Sequence, residues 1–265
     1  MAKDTKIICF ANNKGGSGKS TTCSSVGYAA ASLGKKVLLI DGDMQLNLTL
    51  SYFDEDKAMN AAASGKNLYQ ALKDETPLDD FIYKTDYENV DILPSSTLMS
   101  GIEYELFSKW QREFILKKLI KGVKESGVYD FVFIDAPPTL GCWVMNILVA
   151  SDYLVVPVEA SPWGLFGLAN MFDFVSKVRD ISVNPEVLGV AITKADSRKN
   201  YVKQTLDTLK SQENISVFDS VIHTDSSVEW AQDESRPVGG YKKSSRAAKE
   251  YLALTEEILN KINKE

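Results

Sequence analysis

Lys14-Gly15-Gly16-Ser17-Gly18-Lys19-Ser20-Thr21-Thr22 sets the reading of the whole chain. The apolar run Ile7-Ile8-Cys9-Phe10-Ala11 precedes it, and a helical pattern of small residues follows. Strand, glycine-rich loop and helix in that order are the context of a phosphate-binding loop. Glycines let successive backbone N–H groups turn inward around phosphate oxygens, and the helix behind them adds the positive end of its dipole. In that reading Gly15, Gly16, Ser17, Gly18 and Thr21 cradle the phosphates. Lys19 reaches the β- and γ-phosphates, and the Ser20 hydroxyl joins the shell of a Mg²⁺ ion. The common pattern G-x-x-x-x-G-K-[ST] wants a glycine five residues before Gly18, where Asn13 stands. A second lysine, Lys14, precedes Gly15-Gly16 instead.

Two more segments follow from the first. Val37-Leu38-Leu39-Ile40 runs into Asp41-Gly42-Asp43-Met44-Gln45-Leu46-Asn47. Ligands of a parallel sheet sit beyond the C-terminal strand ends, so Asp41 and Asp43 belong near the phosphates. A carboxylate there orders Mg²⁺-bound water or positions an attacking water. The plainer reading, a turn or helix cap built from Asp and Asn, ranks behind it once the glycine loop is present. Phe131-Val132-Phe133-Ile134-Asp135-Ala136-Pro137-Pro138 is a Walker B strand, with Asp135 bound to Mg²⁺ through water.

The remaining sequence bounds the function. A chain of 265 residues is normal for one large α/β domain, and residues 1–265 are read as one. Cys9, Cys23 and Cys142 form no C-x-x-C pair, which indicates reduced cysteines in a cytoplasmic protein and no metal cluster. The single histidine, His223, leaves little for Ser-His chemistry or a His-rich metal site. No signal sequence or membrane span is expected. The net charge of −6 argues against coating nucleic acid by bulk charge but allows a local basic patch.

Apolar runs alternate with helical patterns, which predicts an α/β fold, a mostly parallel, Rossmann-like P-loop sheet with helices on both faces. The expected strands are 7–11, 37–40, 90–93, 131–134, 153–156, 187–193 and 217–222. The expected helices are 19–33, 102–125, 141–150, 164–178, 201–211, 227–233 and 244–263. The polar segment 54–66 leads into a surface helix or lid.

Taken together, these residues resemble the ParA/Soj-type partition ATPases, within the wider group that includes MinD and the nitrogenase iron protein. Lys14 to Thr21 matches that group's deviant Walker A motif. Asp41 to Asn47 resembles the partition family's D-x-D-P-Q-x-N, with Met44 in place of proline. Asp135-Ala136-Pro137-Pro138-Thr139-Leu140-Gly141 looks like D-x-P-P-x-L-G. Leu93-Pro94-Ser95 is similar to L-P-[AS], and Val155-Val156-Pro157-Val158 through Gly167-Leu168 to V-P-x-x…G-L. Ser245-Arg246-Ala247-Ala248-Lys249-Glu250-Tyr251-Leu252 looks like S-R-x-A-x-x-Y-L.

The resemblance implies ATP and Mg²⁺ as cofactors and a homodimer with two ATP molecules held face to face. It makes Lys14 and Asp43 the catalytic residues: Lys14 crosses to the partner's phosphates, and Asp43 orients the attacking water. Asp41 and Asp135 act on Mg²⁺ or its water shell with Ser20, and Thr193-Lys194 lies where the family contacts adenine. It further implies non-specific binding of double-stranded DNA, stimulation by a ParB-like centromere-binding protein, and a cytoplasmic, nucleoid-associated location. The segment 222–228 resembles I-P-R-N-x-x-[LV] without its arginine. Contacts to DNA are therefore sought at Arg198, Lys199 and Lys203 and at Lys242, Lys243 and Arg246. The alternative is a MinD-like membrane-positioning ATPase. It needs a basic amphipathic C-terminal helix, whereas residues 251–265 carry acids that anionic lipid repels. With the phosphate loop this early, no helix-turn-helix domain and no site-specific repression are expected.

Overall fold

A computed structural model describes residues 5–183, 185–196, 198–211 and 215–264, without the side chains of 162–166, 200 and 203. The first half contains β1 (Lys6–Phe10), α1 (Lys19–Ser32), β2 (Val37–Asp41), α2 (Glu55–Ala63), α3 (Leu68–Asp74), β3 (Tyr83–Lys84) and β4 (Val90–Leu93). Next come α4 (Ile102–Phe107), α5 (Ile115–Leu119), α6 (Lys121–Glu125), β5 (Phe131–Asp135), α7 (Cys142–Ala150) and β6 (Tyr153–Glu159). The chain continues through α8 (Pro162–Arg179), β7 (Glu186–Ala195), α9 (Asn200–Lys210) and β8 (Val217–His223). It then forms α10 (Ser226–Asp233), α11 (Val238–Tyr241) and α12 (Arg246–Ile262).

The eight strands form one sheet in the order β3-β4-β2-β5-β1-β6-β7-β8, parallel except for the β3–β4 pair. Alternation along the central strands fills two cores. Ile7 and Cys9, Leu38 and Ile40, and Val132 and Ile134 face one side, with α3, α4, α5, α7 and α8 packed there. Ile8 and Phe10, Val37 and Leu39, and Phe131 and Phe133 face the other, under α1, α2 and α12. Burial on both faces explains why these strands read as unbroken apolar runs. The small residues of α1 bring it close to the sheet: a Cβ on Gly27 would lie 2.6 Å from Leu39 Cδ2. The order β2-β5-β1 gathers the ends of the three motif-bearing strands at one edge.

One region differs from the sequence reading, and a second takes one of the two forms expected of it. The helix expected over 102–125 is three pieces: Gln111, turned left-handed at φ 50°, separates α4 from α5, and α5 and α6 divide at Ile120. That turn lets Lys109 cap α3 through Leu72 O and Lys73 O while Ile115, Leu116 and Leu119 re-enter the core. The polar segment near 54 is a full helix, capped by Asp54 accepting the Lys57 N–H, and Asn67 caps the next in the same way. The apolar face of α12, from Ala247 through Tyr251, Leu254 and Ile258 to Ile262, is buried in the second core. Among the described residues no helix is long and apolar enough to cross a membrane.

Candidate nucleotide and metal site

The loop after β1 begins with Asn12. Its Nδ2 donates to Pro157 O at 2.7 Å, and its Oδ1 accepts the Lys14 N–H at 3.1 Å. Gly16 and Gly18 take φ values of 76° and 85°, a region glycine enters without a Cβ penalty. A Cβ on Gly15 or Gly16 would meet nothing within 4 Å, so the loop opens onto free space. Gly18 starts α1 with no side-chain cap. An uncapped helix start beside an open glycine loop is a ready site for an anion. Lys19 sits at its base, 6% exposed, with Nζ donating to Lys14 O at 3.2 Å. Burial lowers its pKa, and the carboxylates of Asp135 and Asp43 act in the opposite direction.

Asp41 and Asp135 end adjacent strands in matched register, but their surroundings differ. One oxygen of Asp41 accepts the Thr49 N–H at 2.8 Å and its hydroxyl at 2.6 Å, and the other accepts the Asp43 N–H at 3.1 Å. Burial raises its pKa to about 6 against the lowering effect of these bonds. In this arrangement Asp41 closes the turn that presents Asp43. Asp135 has both oxygens buried without a hydrogen-bond partner. Burial, then the nearby Asp41, lift its pKa well above the carboxylate range, while Ser20 and Lys19 act against the rise. An unpartnered buried carboxylate is costly unless an ion completes it. Among the described residues no group of three or more His, Cys, Asp or Glu could hold a metal alone. Mg²⁺ fits, since it takes one or two protein oxygens and fills its octahedron with water and phosphate. Ser20 and Asp135 would hold it, offsetting the charge that gathers on a phosphate oxygen.

A stability prediction follows. Asp135→Asn should raise the melting temperature of ligand-free protein at pH 8, because ionising a carboxyl buried beside Asp41 costs more than the opposing Lys19 and Ser20 return. The expected gain is about 1–2 kcal/mol, or roughly 3–6 °C. A carboxyl with a raised folded pKa stabilises the fold below its unfolded pKa and loses that contribution as pH rises through the folded value. The two proteins should therefore converge in acid and separate as pH rises. Melting curves in EDTA test this; a variant less stable than wild type at pH 8 would refute it. Added ATP and Mg²⁺ should stabilise the wild type far more than the variant.

Asp43 is 6% exposed and lines a cleft of about 470 Å³ with Gly15, Lys19, Ser20, Asn47 and Pro138. Gln45 N–H donates to its Oδ1 at 3.1 Å. A second cavity of about 270 Å³ starts at Gly18 and Thr21 and is lined by Thr193, Lys194, His223 and Gln232. The buried Thr193 hydroxyl donates to Ser17 O at 2.8 Å, so that side chain props the glycine loop. Lys194, at φ 52°, lines both spaces and is exposed.

Several residues outside the expected site set also shape it. Gln232 donates to the Thr21 hydroxyl at 3.2 Å. The buried Trp143 indole donates to Gly42 O at 2.9 Å, joining the β2 loop to α7. A Cβ on Gly42 would lie 2.6 Å from Asp135 O, so only glycine fits between them. Glu103 caps α7 by accepting the Cys142 and Trp143 N–H groups at 3.0 and 3.1 Å. Lys14, expected at phosphates, has its Nζ on Glu159 Oε2 at 2.6 Å and Ser161 Oγ at 3.0 Å.

Arg198 and Lys199 follow the end of β7, whose Ala195 pairs with His223 of β8, while Lys242 and Lys243 lie between α11 and α12. Arg198 is held by Asp196, with Nε and Nη2 each 2.9 Å from a carboxylate oxygen. Arg246 donates to Thr224 O at 2.6 Å and lies 3.7 Å from Glu250. Lys199, Lys242 and Lys243 are exposed. The Lys203 side chain lies outside the described residues.

Comparison with known proteins bears on this site. An AAA domain family matches residues 5–188. The sporulation initiation inhibitor protein Soj of Bacillus subtilis is 34% identical over 254 residues, covering 96% of this chain and 98% of that one. The chromosome partitioning protein ParA of Caulobacter vibrioides is 30% identical, covering 98% and 96%. A solved structure of cobyrinic acid a,c-diamide synthase from Mycobacterium smegmatis, with bound ADP and magnesium, has a TM-score of 0.82 at 26% identity, covering 98% and 96%. The fold thus recurs under different named activities, while the sequence matches favour partition proteins.

Proposed function

The chain belongs to the ParA/Soj family of partition ATPases, and from that premise we propose that it is a Mg²⁺-dependent ATPase that segregates DNA. Residues 1–265 act as one domain, a reading supported by the single continuous sheet. Two chains close on two ATP molecules, the dimer binds DNA without regard to sequence, and a ParB-like centromere-binding protein speeds hydrolysis and release. Its place is the cytoplasm, on the nucleoid. The observation that carries this reading is Lys14. Its side chain is directed to Glu159 at the end of β6, whereas Lys19 already serves its own phosphate cradle. A second phosphate-seeking lysine has a use in a closed site formed by two chains, where it acts as a point charge in a dry environment. The membrane-positioning alternative loses support because the apolar face of α12 is already buried within the protein.

Co-sedimentation with DNA in ATP, ADP or no nucleotide tests the proposal. DNA should pellet the protein with ATP only, for any sequence. Affinity should fall steeply with salt, the log–log slope growing by about 0.9 per phosphate contact. Exchanging Lys242, Lys243 and Arg246 for alanine should weaken binding to all sequences and flatten the slope, with ATP affinity unchanged. Arg198 and Lys199 form the second set to exchange. Absence of DNA association by the ATP-bound protein at low salt would remove the mechanism, and association with anionic vesicles instead would favour the membrane reading.

A further inference from the structure

The segment before the glycines is fastened to the end of β6 and the start of α8 at several points. Asn12 bonds to Pro157 O at 2.7 Å. Gly167 of α8 packs so tightly that a Cβ there would lie 3.2–3.4 Å from Asn13, Lys14 and Asn12. The Lys14 ammonium completes the attachment, 2.6 Å from Glu159 Oε2 and 3.0 Å from Ser161 Oγ. Lys14 thus faces two ways: its carbonyl accepts from Lys19 Nζ at the cradle, while its side chain is neutralised on Glu159. While that pair is closed, the ammonium is engaged on Glu159 and Ser161.

We propose that Glu159 is a positioning residue for Lys14. It holds the lysine within its own subunit until the ATP-bound face of a second chain offers a stronger anion. This inference rests on the two-chain reading given above. The exchange is feasible because the pair is only partly buried, with side-chain exposures of 25% and 33%, so solvent weakens the attraction that must be given up. A triphosphate in a closed interface outcompetes a single, partly exposed carboxylate. An isolated subunit therefore keeps its signature lysine disarmed, and dimerisation carries the cost of opening the pair.

The test is the protein concentration at half-maximal dimerisation with ATP and Mg²⁺, read by light scattering. Glu159→Gln retains the shape and the hydrogen-bonding capacity but removes the charge. The midpoint should fall by about three- to tenfold, the range of a partly exposed ion pair. Glu159→Asp, which restores the charge, should return the midpoint toward that of wild type, a rescue that a merely structural role would not produce. Ser161→Ala should shift it in the same direction as Glu159→Gln by a smaller factor. In a Lys14→Ala background Glu159→Gln should have no effect, because the two residues act as one pair. A midpoint that is unchanged or raised in a folded Glu159→Gln protein overturns the proposal, as does a full effect in the Lys14→Ala background. A wild-type protein that stays monomeric with ATP overturns the two-chain reading and this proposal with it. Wild-type dimerisation with no Glu159 effect overturns this proposal alone.

Discussion

Lys19→Ala should lower ATP affinity by about a hundredfold or more, read by equilibrium titration with a fluorescent ATP analogue. Hydrogen bonds to charged partners contribute about 1.5–3 kcal/mol each, and in the proposed site this ammonium would contact two phosphates. Its near-complete burial removes the screening that would otherwise shrink the effect. The loss should extend to ADP, since in the proposed site the β-phosphate would lie within the same cradle. The fold should persist, because the Lys19 ammonium bonds to the Lys14 carbonyl within the loop it serves. Undiminished affinity in a folded variant would place the phosphate site elsewhere.

Asp43→Ala should retain ATP yet hydrolyse it about 10²- to 10³-fold more slowly, as expected when a group acting mainly in the transition state is removed. Asp43 lines the cleft beside Lys19 and Ser20, and Asp41 fixes the turn that presents it. ATP-bound dimer should therefore accumulate. Single-turnover hydrolysis and light scattering with ATP together test this. Wild-type turnover in the variant would assign the attacking water to another group.

Much of this was written in the order of residues. The central strands could be read because burial on both faces makes each an apolar run, and the run ends where Asp41 or Asp135 appears. The glycine loop could be read because positive φ and close backbone approach leave glycine few substitutes. The break within 102–125 was hidden: its apolar spacing suits a helix, and only tertiary contacts decide that Gln111 turns left-handed. Glu159 was hidden for another reason. It meets Lys14 across 145 residues, through strand pairing that local patterning does not encode. Asp41 and Asp135 read alike in sequence, but the oxygens of Asp41 accept from Thr49 and Asp43, leaving Asp135 as the open carboxylate.

The bond from Trp143 to Gly42 ties the loop after β2 to the helix after β5. Moving either one alone would strand a buried indole N–H, at a cost of about 1–3 kcal/mol. Intermediate postures, with one side shifted and the other at rest, are thus disfavoured, and the two sides of the cleft change together. In the proposed ATPase such a crossbar would carry a shift on one side of the cleft to the other.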